Sequence, residues 1–223
     1  YREALELTEQ NEVALSSLGY LLKSQKKWIE AHKLFFELAK LKPKDTSVLL
    51  NLAEISQNLG EYDQAVIYAQ KALDISPSDA EIHYRLGVYY WELQNWSQAE
   101  QYFQSSLLHD AKHLNAYLAL GNLWKNQHRL KASKALYQRA IQAIPNDPKL
   151  HSRLGHVMAG LSEYEQAAAE FDRVCEINAD YPSAMGFAIH MRLQACHWHG
   201  LDDYVKQIKQ EINQGKQLID PLT

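Results

Sequence analysis

Residues 80–113 have the sequence AEIHYRLGVYYWELQNWSQAEQYFQSSLLHDAKH, and they decide the fold because the same pattern recurs every 34 residues along the chain. Each copy has a Leu followed by a Gly or Ala. An Ala or Ser comes 13 residues after that Leu, and an apolar residue follows four residues later. The paired positions are Leu18-Gly19, Leu52-Ala53, Leu86-Gly87, Leu120-Gly121 and Leu154-Gly155. Five copies in the same register argue against chance and predict a repeat architecture.

Each copy has the pattern of two amphipathic helices joined by a short turn. Apolar residues at the fourth, seventh and eleventh positions lie on one face of the first helix, because these spacings match the helical period. The Gly or Ala at the eighth position lets the second helix approach closely. One helix pair cannot bury its apolar face alone, so we expect neighbouring copies to stack. The predicted copies are 12–45, 46–79, 80–113, 114–147 and 148–181.

This pattern resembles the tetratricopeptide repeat, or TPR, which has Leu-Gly, Ala, Phe and Pro at the corresponding positions of a 34-residue unit. The resemblance covers nearly the whole chain. It implies an all-α fold, a right-handed TPR solenoid of antiparallel helix pairs, with a concave groove lined mainly by the first helices. Residues 1–11 fit the tail of a preceding repeat helix, which indicates a piece of a longer array. Residues 182–223 fit a degenerate repeat followed by capping and junction helices.

Composition and charge argue against several classes of function. The net charge of −4 provides no basic surface for general nucleic-acid binding. The chain lacks a run of about 18 apolar residues, so no membrane span is predicted. Its two cysteines do not form the pattern of a disulfide framework, and we therefore expect a reduced, cytoplasmic setting.

The resemblance also identifies the residues that would line the groove. They occupy the second, fifth, sixth, ninth, twelfth and thirteenth positions of the first helices. These positions hold Tyr20, Asn51, Glu54, Tyr84, Arg85, Trp91, Asn122, Lys125, Asn126, Lys149, Arg153 and His156. Arg, Tyr and Trp are the residue types that dominate binding hot spots, and an Arg holds a carboxylate in forked geometry. We predict that a protein or an extended peptide segment binds there. The alternative is that these side chains form only a solvated polar face.

The C-terminal part resembles a particular junction between domains. Tyr181-Pro182, Cys196-His197-Trp198 and Asp202-Asp203-Tyr204 are similar to the segment that ends the TPR array of O-linked N-acetylglucosamine transferases and their bacterial relatives. The resemblance implies that this chain is the substrate-docking or partner-docking arm of such an enzyme, with the catalytic domain beyond Thr223. Those arrays bind peptide backbone through Asn at the sixth position of each repeat, a position that only Asn51 retains here.

Two other classes of function remain as alternatives. One is a free-standing TPR adaptor for protein assembly or secretion. The other is an enzyme with its own site, such as a metal site at Cys196, His197 and His199. Zinc sites need four ligands at suitable spacing, and these three are too close together to supply a site. We therefore predict no catalytic residue, no metal and no cofactor for this chain, and the sequence leaves its oligomeric state open.

Overall fold

A computed structural model of the chain describes residues 2–181 and 183–196, with side chains from residue 11 onward. Within these ranges the chain forms eleven α-helices and no β-strand, which confirms the all-α prediction. None of the described helices combines the length and apolarity that crossing a bilayer requires. The helices are α1 (Arg2–Ser24), α2 (Trp28–Leu41), α3 (Thr46–Asn58), α4 (Tyr62–Ile75), α5 (Ala80–Glu92), α6 (Trp96–His109), α7 (Leu114–Asn126), α8 (Leu130–Ala143), α9 (Pro148–Gly160), α10 (Tyr164–Ile177) and α11 (Ala184–Gln194).

The chain divides into two compact units, residues 1–113 and 114–223. Unit 1 contains the helices α1 to α6, and the described part of unit 2 contains α7 to α11. Within each unit, every helix packs against the next one along the chain. The first helices of the pairs are α1, α3 and α5 in unit 1, and α7, α9 and α11 in unit 2. We call the polar side of these helices the first-helix face of each unit.

Small residues on the first helices make room for rings on the second helices. A Cβ atom added to Gly87 would lie 2.5 Å from the Phe103 ring, and one added to Gly121 would lie 2.2 Å from Cζ of Tyr137. The equivalent positions of the second copy are Ala53 and Ala69, both fully buried. A Gly opposite a ring and an Ala opposite an Ala therefore fill the same space between the two helices of a pair. Close packing of a protein interior requires that this space be filled.

The turn after each first helix also recurs with the 34-residue period. Its left-handed residue is Lys26, Gly60, Gln94, His128, Ser162 or Cys196. Only one of the six is Gly, at φ +79°, so the recurring packing holds the other five in a conformation that usually favours Gly. The turn at Cys196 follows α11, where Ala188-Ile189 replaces the Leu-Gly pair. The backbone period therefore persists after the sequence pattern has weakened.

Aspartates cap the starts of several first helices. The Asp79 carboxylate accepts hydrogen bonds from the backbone N–H groups of Glu81 (2.9 Å) and Ile82 (3.3 Å). Asp147 accepts from the N–H groups of Lys149 (2.9 Å) and Leu150 (3.2 Å). A side-chain cap of this kind satisfies N–H groups that lack a partner in the helix. The caps define where α5 and α9 begin, and so which side chains their first turns present.

The N-terminal helix differs from the prediction. Residues 1–11 were expected to end a preceding helix, whereas the structure has one continuous helix from Arg2 to Ser24. The physical reason is that no Gly or Pro precedes Gly19, and the segment is rich in Glu, Leu and Ala, which favour helix.

Candidate functional site: the first-helix faces

The first-helix face of unit 1 contains a chain of hydrogen bonds centred on Asn51. Its amide oxygen accepts from Nζ of Lys23 (2.6 Å), and its amide nitrogen donates to the Tyr20 hydroxyl (3.1 Å) and to the carbonyl of Ser47 (2.8 Å). Asn51 is buried. Its polar atoms are thus engaged inside the protein, and the one Asn that matches the ladder of the resembling arrays is held by neighbours.

Ion pairs continue this network through α3 and α5. Lys23 lies 3.0 Å from Glu54, and a guanidinium nitrogen of Arg85 lies 3.6 Å from the other oxygen of Glu54. Nε of Arg85 also lies 2.7 Å from Glu81, one helical turn away. Glu81 in turn lies 3.3 Å from Nε2 of His113. The guanidinium of Arg85, predicted to hold a carboxylate of a partner, is therefore already held between two carboxylates of its own unit.

Two aromatic residues complete the predicted set in unit 1. The Tyr84 ring lies 5.0 Å from the His113 ring and 6.0 Å from Phe103. The Trp91 ring meets Trp96 edge to face at 5.6 Å. Both rings pack against other rings of the unit and are half-buried, so part of each ring remains exposed.

In unit 2, Asn122 lies over the ring that packs on Gly121. The Tyr137 hydroxyl lies within hydrogen-bond distance of the carbonyl of Leu118 (3.3 Å) and of the Asn122 amide oxygen (3.4 Å). Burial raises the pKa of Tyr137, and the charge of Arg153 acts in the opposite direction. The hydroxyl therefore stays protonated and orients Asn122 on the first-helix face.

Three cationic side chains on α7 and α9 of unit 2 have no hydrogen-bond or ion-pair partner among the described residues. Lys125, Lys149 and Arg153 are exposed, and so is Asn126. Within residues 11–181 and 183–196, where side chains are described, no hydrogen bond or ion pair involves the side chains of these four residues. This arrangement is the opposite of the one around Arg85.

His156 lies between aromatic rings and positive charges. Its ring is 5.0 Å from Phe171 and 4.7 Å from Phe187 on α11. Burial, followed by the charges of Lys125 and Arg153, lowers the pKa of His156 to about 4. The imidazole is therefore neutral near neutral pH, and the positive charge of this face comes from the lysines and the arginine.

All of the residues predicted to line the groove lie on first helices. Those of unit 1 are held by hydrogen bonds, ion pairs and ring contacts, whereas several of those of unit 2 are exposed. Sequence reasoning missed Lys23 and Glu81, which hold the network of unit 1, and Phe187, which packs on His156. All three lie at the twelfth, second or sixth position of a copy, so the register alone would have identified them. Whether the predicted residues bind a partner stays a prediction. Of the C-terminal junction, Pro182, His197, His199 and everything up to Thr223 lie outside the described residues.

Comparison with protein families supports the repeat assignment. Two tetratricopeptide repeat models match, over residues 45–107 and 84–148. The chain contains tetratricopeptide repeats. With the eleven described helices, this result confirms the predicted fold class of a TPR solenoid.

Among curated proteins, the TPR chain is 26% identical over 168 residues to protein O-mannosyl-transferase Tmtc3 of Drosophila melanogaster. This match covers 67% of the chain and 18% of the transferase. The chain is 25% identical over 145 residues to type IV pilus assembly protein PilF of Pseudomonas aeruginosa, covering 63% of the chain and 56% of PilF. The chain thus spans less than two thirds of the length of either relative.

Solved structures have the same fold at low identity. The C-terminal part of a TPR repeat-containing protein from Cytophaga hutchinsonii superposes with a TM-score of 0.76 at 18% identity, covering 89% of this chain and 80% of that one. YrrB, described as a TPR protein with an unusual peptide-binding site, has a TM-score of 0.62 at 17% identity, covering 86% and 96%. At these identities the likeness concerns the fold.

Proposed function

We propose that this TPR chain is a protein-interaction scaffold whose first-helix faces bind an extended segment of a partner protein. The observation that carries the proposal is a set of exposed polar side chains on α7 and α9 that have no hydrogen-bond or ion-pair partner in the described part of the chain, namely Lys125, Asn126, Lys149 and Arg153. Concave repeat surfaces are the usual binding sites of solenoid proteins. The aromatic rings of Tyr84 and Trp91 add residue types that contribute much of the energy at interfaces.

The protein to which the scaffold belongs is a second part of the proposal. The Cys-His-Trp junction favours the docking arm of an O-linked N-acetylglucosamine transferase-like enzyme, and the name of Tmtc3 describes another protein glycosyltransferase with a matching segment. In this arrangement the arm delivers a bound protein to a catalytic domain. The two cysteines favour a cytoplasmic location. The coding sequence after Thr223 tests this part, since a nucleotide-sugar-binding domain there supports it and a stop codon overturns it.

A free-standing adaptor is the second candidate. The name of PilF describes a factor in pilus assembly, and its match covers most of this chain. An adaptor uses the same first-helix faces but delivers its partner to an assembly instead of a catalytic site. In both cases the role of the first-helix faces is to bind the partner.

Peptide selection tests the binding proposal directly. A displayed library of random peptides is selected on the full chain, and a photo-crosslinking phenylalanine analogue then replaces Tyr20 in α1 or Asn126 in α7. Control chains have the same analogue at the exposed Phe36 of α2 or Gln138 of α8. We expect selected peptides to crosslink at Tyr20 or Asn126 and to leave both controls unlabelled. Failure to select any peptide, or labelling at the controls alone, overturns the proposal.

A further inference from the structure

The repeat period allows residues of the two units to be compared position by position. Arg85 and Arg153 lie two periods apart, both at the sixth position of a first helix. The residue one turn before Arg85 is Glu81, which pairs with it at 2.7 Å. The residue one turn before Arg153 is Lys149. The nearest internal partner of the arginine has therefore been replaced by a like charge.

The other partner of Arg85 is replaced as well. Two periods after Glu54 the chain has Asn122, which is uncharged. Lys23 pairs with Glu54 at 3.0 Å, and three periods after this pair come Lys125 and His156. His156 is neutral near pH 7, so Lys125 faces a ring where Lys23 faces a carboxylate.

No acidic residue of the first helices of unit 2 takes over this role. The segments Leu114–Asn126, Pro148–Gly160 and Ala184–Gln194 contain no Asp or Glu. Apart from Asp147, whose carboxylate caps the start of α9, the described carboxylates of unit 2 lie on α10 and in the turns beside it, where Glu163 pairs with Lys134, Glu170 with His151, and Asp172 with Arg192. These acids are engaged away from Lys125, Lys149 and Arg153.

The neighbouring positive charges on α9 have an energetic cost. Lys149 and Arg153 are four residues apart on one helix, and like charges at that spacing destabilise a helix by about 0.2–0.5 kcal/mol. An anionic group bound between them would remove this repulsion. Beside them, the rings of His156 and Phe187 lie 4.7 Å apart and provide an apolar contact surface.

From this placement we infer that the first-helix face of unit 2 binds an acidic extended segment of a partner protein, with Lys125, Lys149 and Arg153 contacting its carboxylates. The inference rests on the proposed scaffold function and specifies which unit binds and what chemistry the partner has. The face of unit 1 does not share this preference, because Glu54 and Glu81 already occupy its cations. A nucleic acid is a weaker candidate, since three cations lie on a chain whose net charge is −4.

Two pools of labelled, unstructured peptides test the inference by fluorescence anisotropy on the full chain. In one pool half of the positions are Asp or Glu, and in the matched pool these positions are Asn or Gln. We expect the acidic pool to bind at least about ten times more tightly, a difference of about 1.4 kcal/mol. Its affinity should fall as NaCl rises from about 50 to about 300 mM, because salt screens exposed charges.

A pair of charge-matched variants locates the site. Lys125→Glu with Arg153→Glu should weaken binding of the acidic pool by about tenfold or more. Lys131→Glu with Arg173→Glu makes the same change of charge on the second helices of unit 2 and should alter affinity by less than about twofold. Circular dichroism melting checks folding, and the milder Lys125→Met with Arg153→Gln repeats the test if the first variant does not fold.

Each other outcome has a definite meaning. Equal binding of the two pools, or equal loss in both variants, overturns the inference while crosslinking of library peptides at Asn126 leaves the scaffold function intact. If no peptide of any composition binds, the scaffold function fails as well. If a single-stranded oligonucleotide binds as tightly as the acidic pool and the same variant abolishes its binding, the face is a nucleic-acid site and the inference is wrong.

Discussion

The first-helix faces of units 1 and 2 are built from the same repeat and differ in how their charges are satisfied. In unit 1 the cations Lys23 and Arg85 are held by Glu54 and Glu81. In unit 2 the equivalent arginine, Arg153, has Lys149 and Asn122 at those positions. A residue type at a repeat position therefore does not specify a binding role, because the neighbours one turn or one copy away decide whether the side chain is available.

The packing beneath the first-helix faces also differs between individual copies of the repeat. The second copy, in unit 1, has Ala53 with Ala69, where the fourth copy, in unit 2, has Gly121 with Tyr137. The ring in unit 2 brings a hydroxyl to Asn122 at 3.4 Å, so a core substitution changes the polar surface above it. The size of the buried side chain therefore affects which polar groups are held on the first-helix face.

The largest expected effect concerns this core pair. Tyr137→Ala should lower the free energy of unfolding by about 3–5 kcal/mol, because it leaves a cavity where a buried ring lay. Gly121→Ala alone should also destabilise, since its Cβ would lie 2.2 Å from the ring. Added to Tyr137→Ala, the same change should stabilise by up to about 1 kcal/mol, because Ala favours helix and the ring is gone.

Urea denaturation of the two single variants and the double variant measures this sign change. Gly160→Ala is the control for helix propensity, since its nearest neighbour is a flexible Leu130 methyl group at 3.3 Å. If Gly121→Ala changes stability in the same direction with Tyr137 in place and in the Tyr137→Ala variant, the Gly–ring pair and the Ala–Ala pair do not fill the same space.

An intermediate effect is expected from exchanging the charges of the two faces. Lys149→Glu with Asn122→Glu should give Arg153 the partners of Arg85 and lower affinity for acidic peptides by about tenfold. Glu81→Lys with Glu54→Asn should release Arg85 and create acidic-peptide binding in unit 1. The removed pairs are about 45% and 36% exposed at their acids, so the loss of stability should stay below about 1 kcal/mol.

Fluorescence anisotropy with the acidic pool measures the change in affinity, and thermal melting measures the loss of stability. If the Lys149→Glu and Asn122→Glu chain keeps its full affinity, the difference between the faces has no bearing on binding.

The smallest effect of a substitution is expected at the two histidines of α9. The hydrogen bond with Glu170 raises the pKa of His151, whereas burial lowers that of His156 to about 4. The stabilisation from His151 is complete below its unfolded pKa of about 6.5 and is lost as the pH rises through the higher folded value. For His156 the sign is opposite, because the unfolded chain takes up its proton first and stability falls as the pH drops from about 6.5 towards 4.

Proton NMR titration of the imidazole C–H signals measures both values. Lys125→Met should raise the pKa of His156, since the lysine charge lowers it, and should leave His151 unchanged. Similar pKa values for the two histidines would contradict the environment described for the unit 2 face.

Much of the architecture was predictable from the sequence, because repeat periodicity and helix patterning are local properties of a chain. The 34-residue spacing predicted helix pairs, and the starts of α3, α5, α7 and α9 keep that spacing. The continuous α1 was not predicted, since the repeat register implied a boundary at residue 11 that no helix-breaking residue marks. The roles of the face residues were also beyond pattern reasoning, because Arg85 and Arg153 are indistinguishable by position and type.

The sequence by itself determined the class of fold, the helix pairs and the side chains carried by the first helices, because these follow from periodicity and residue size. Only the tertiary structure decided that Asn51 and Arg85 are engaged within unit 1 while Lys125, Lys149 and Arg153 are not engaged in the described part of unit 2. The physical reason is that an ion pair depends on distances of a few ångströms between side chains of successive copies. Such distances arise from the packing of whole helices and from which charge each neighbour happens to carry.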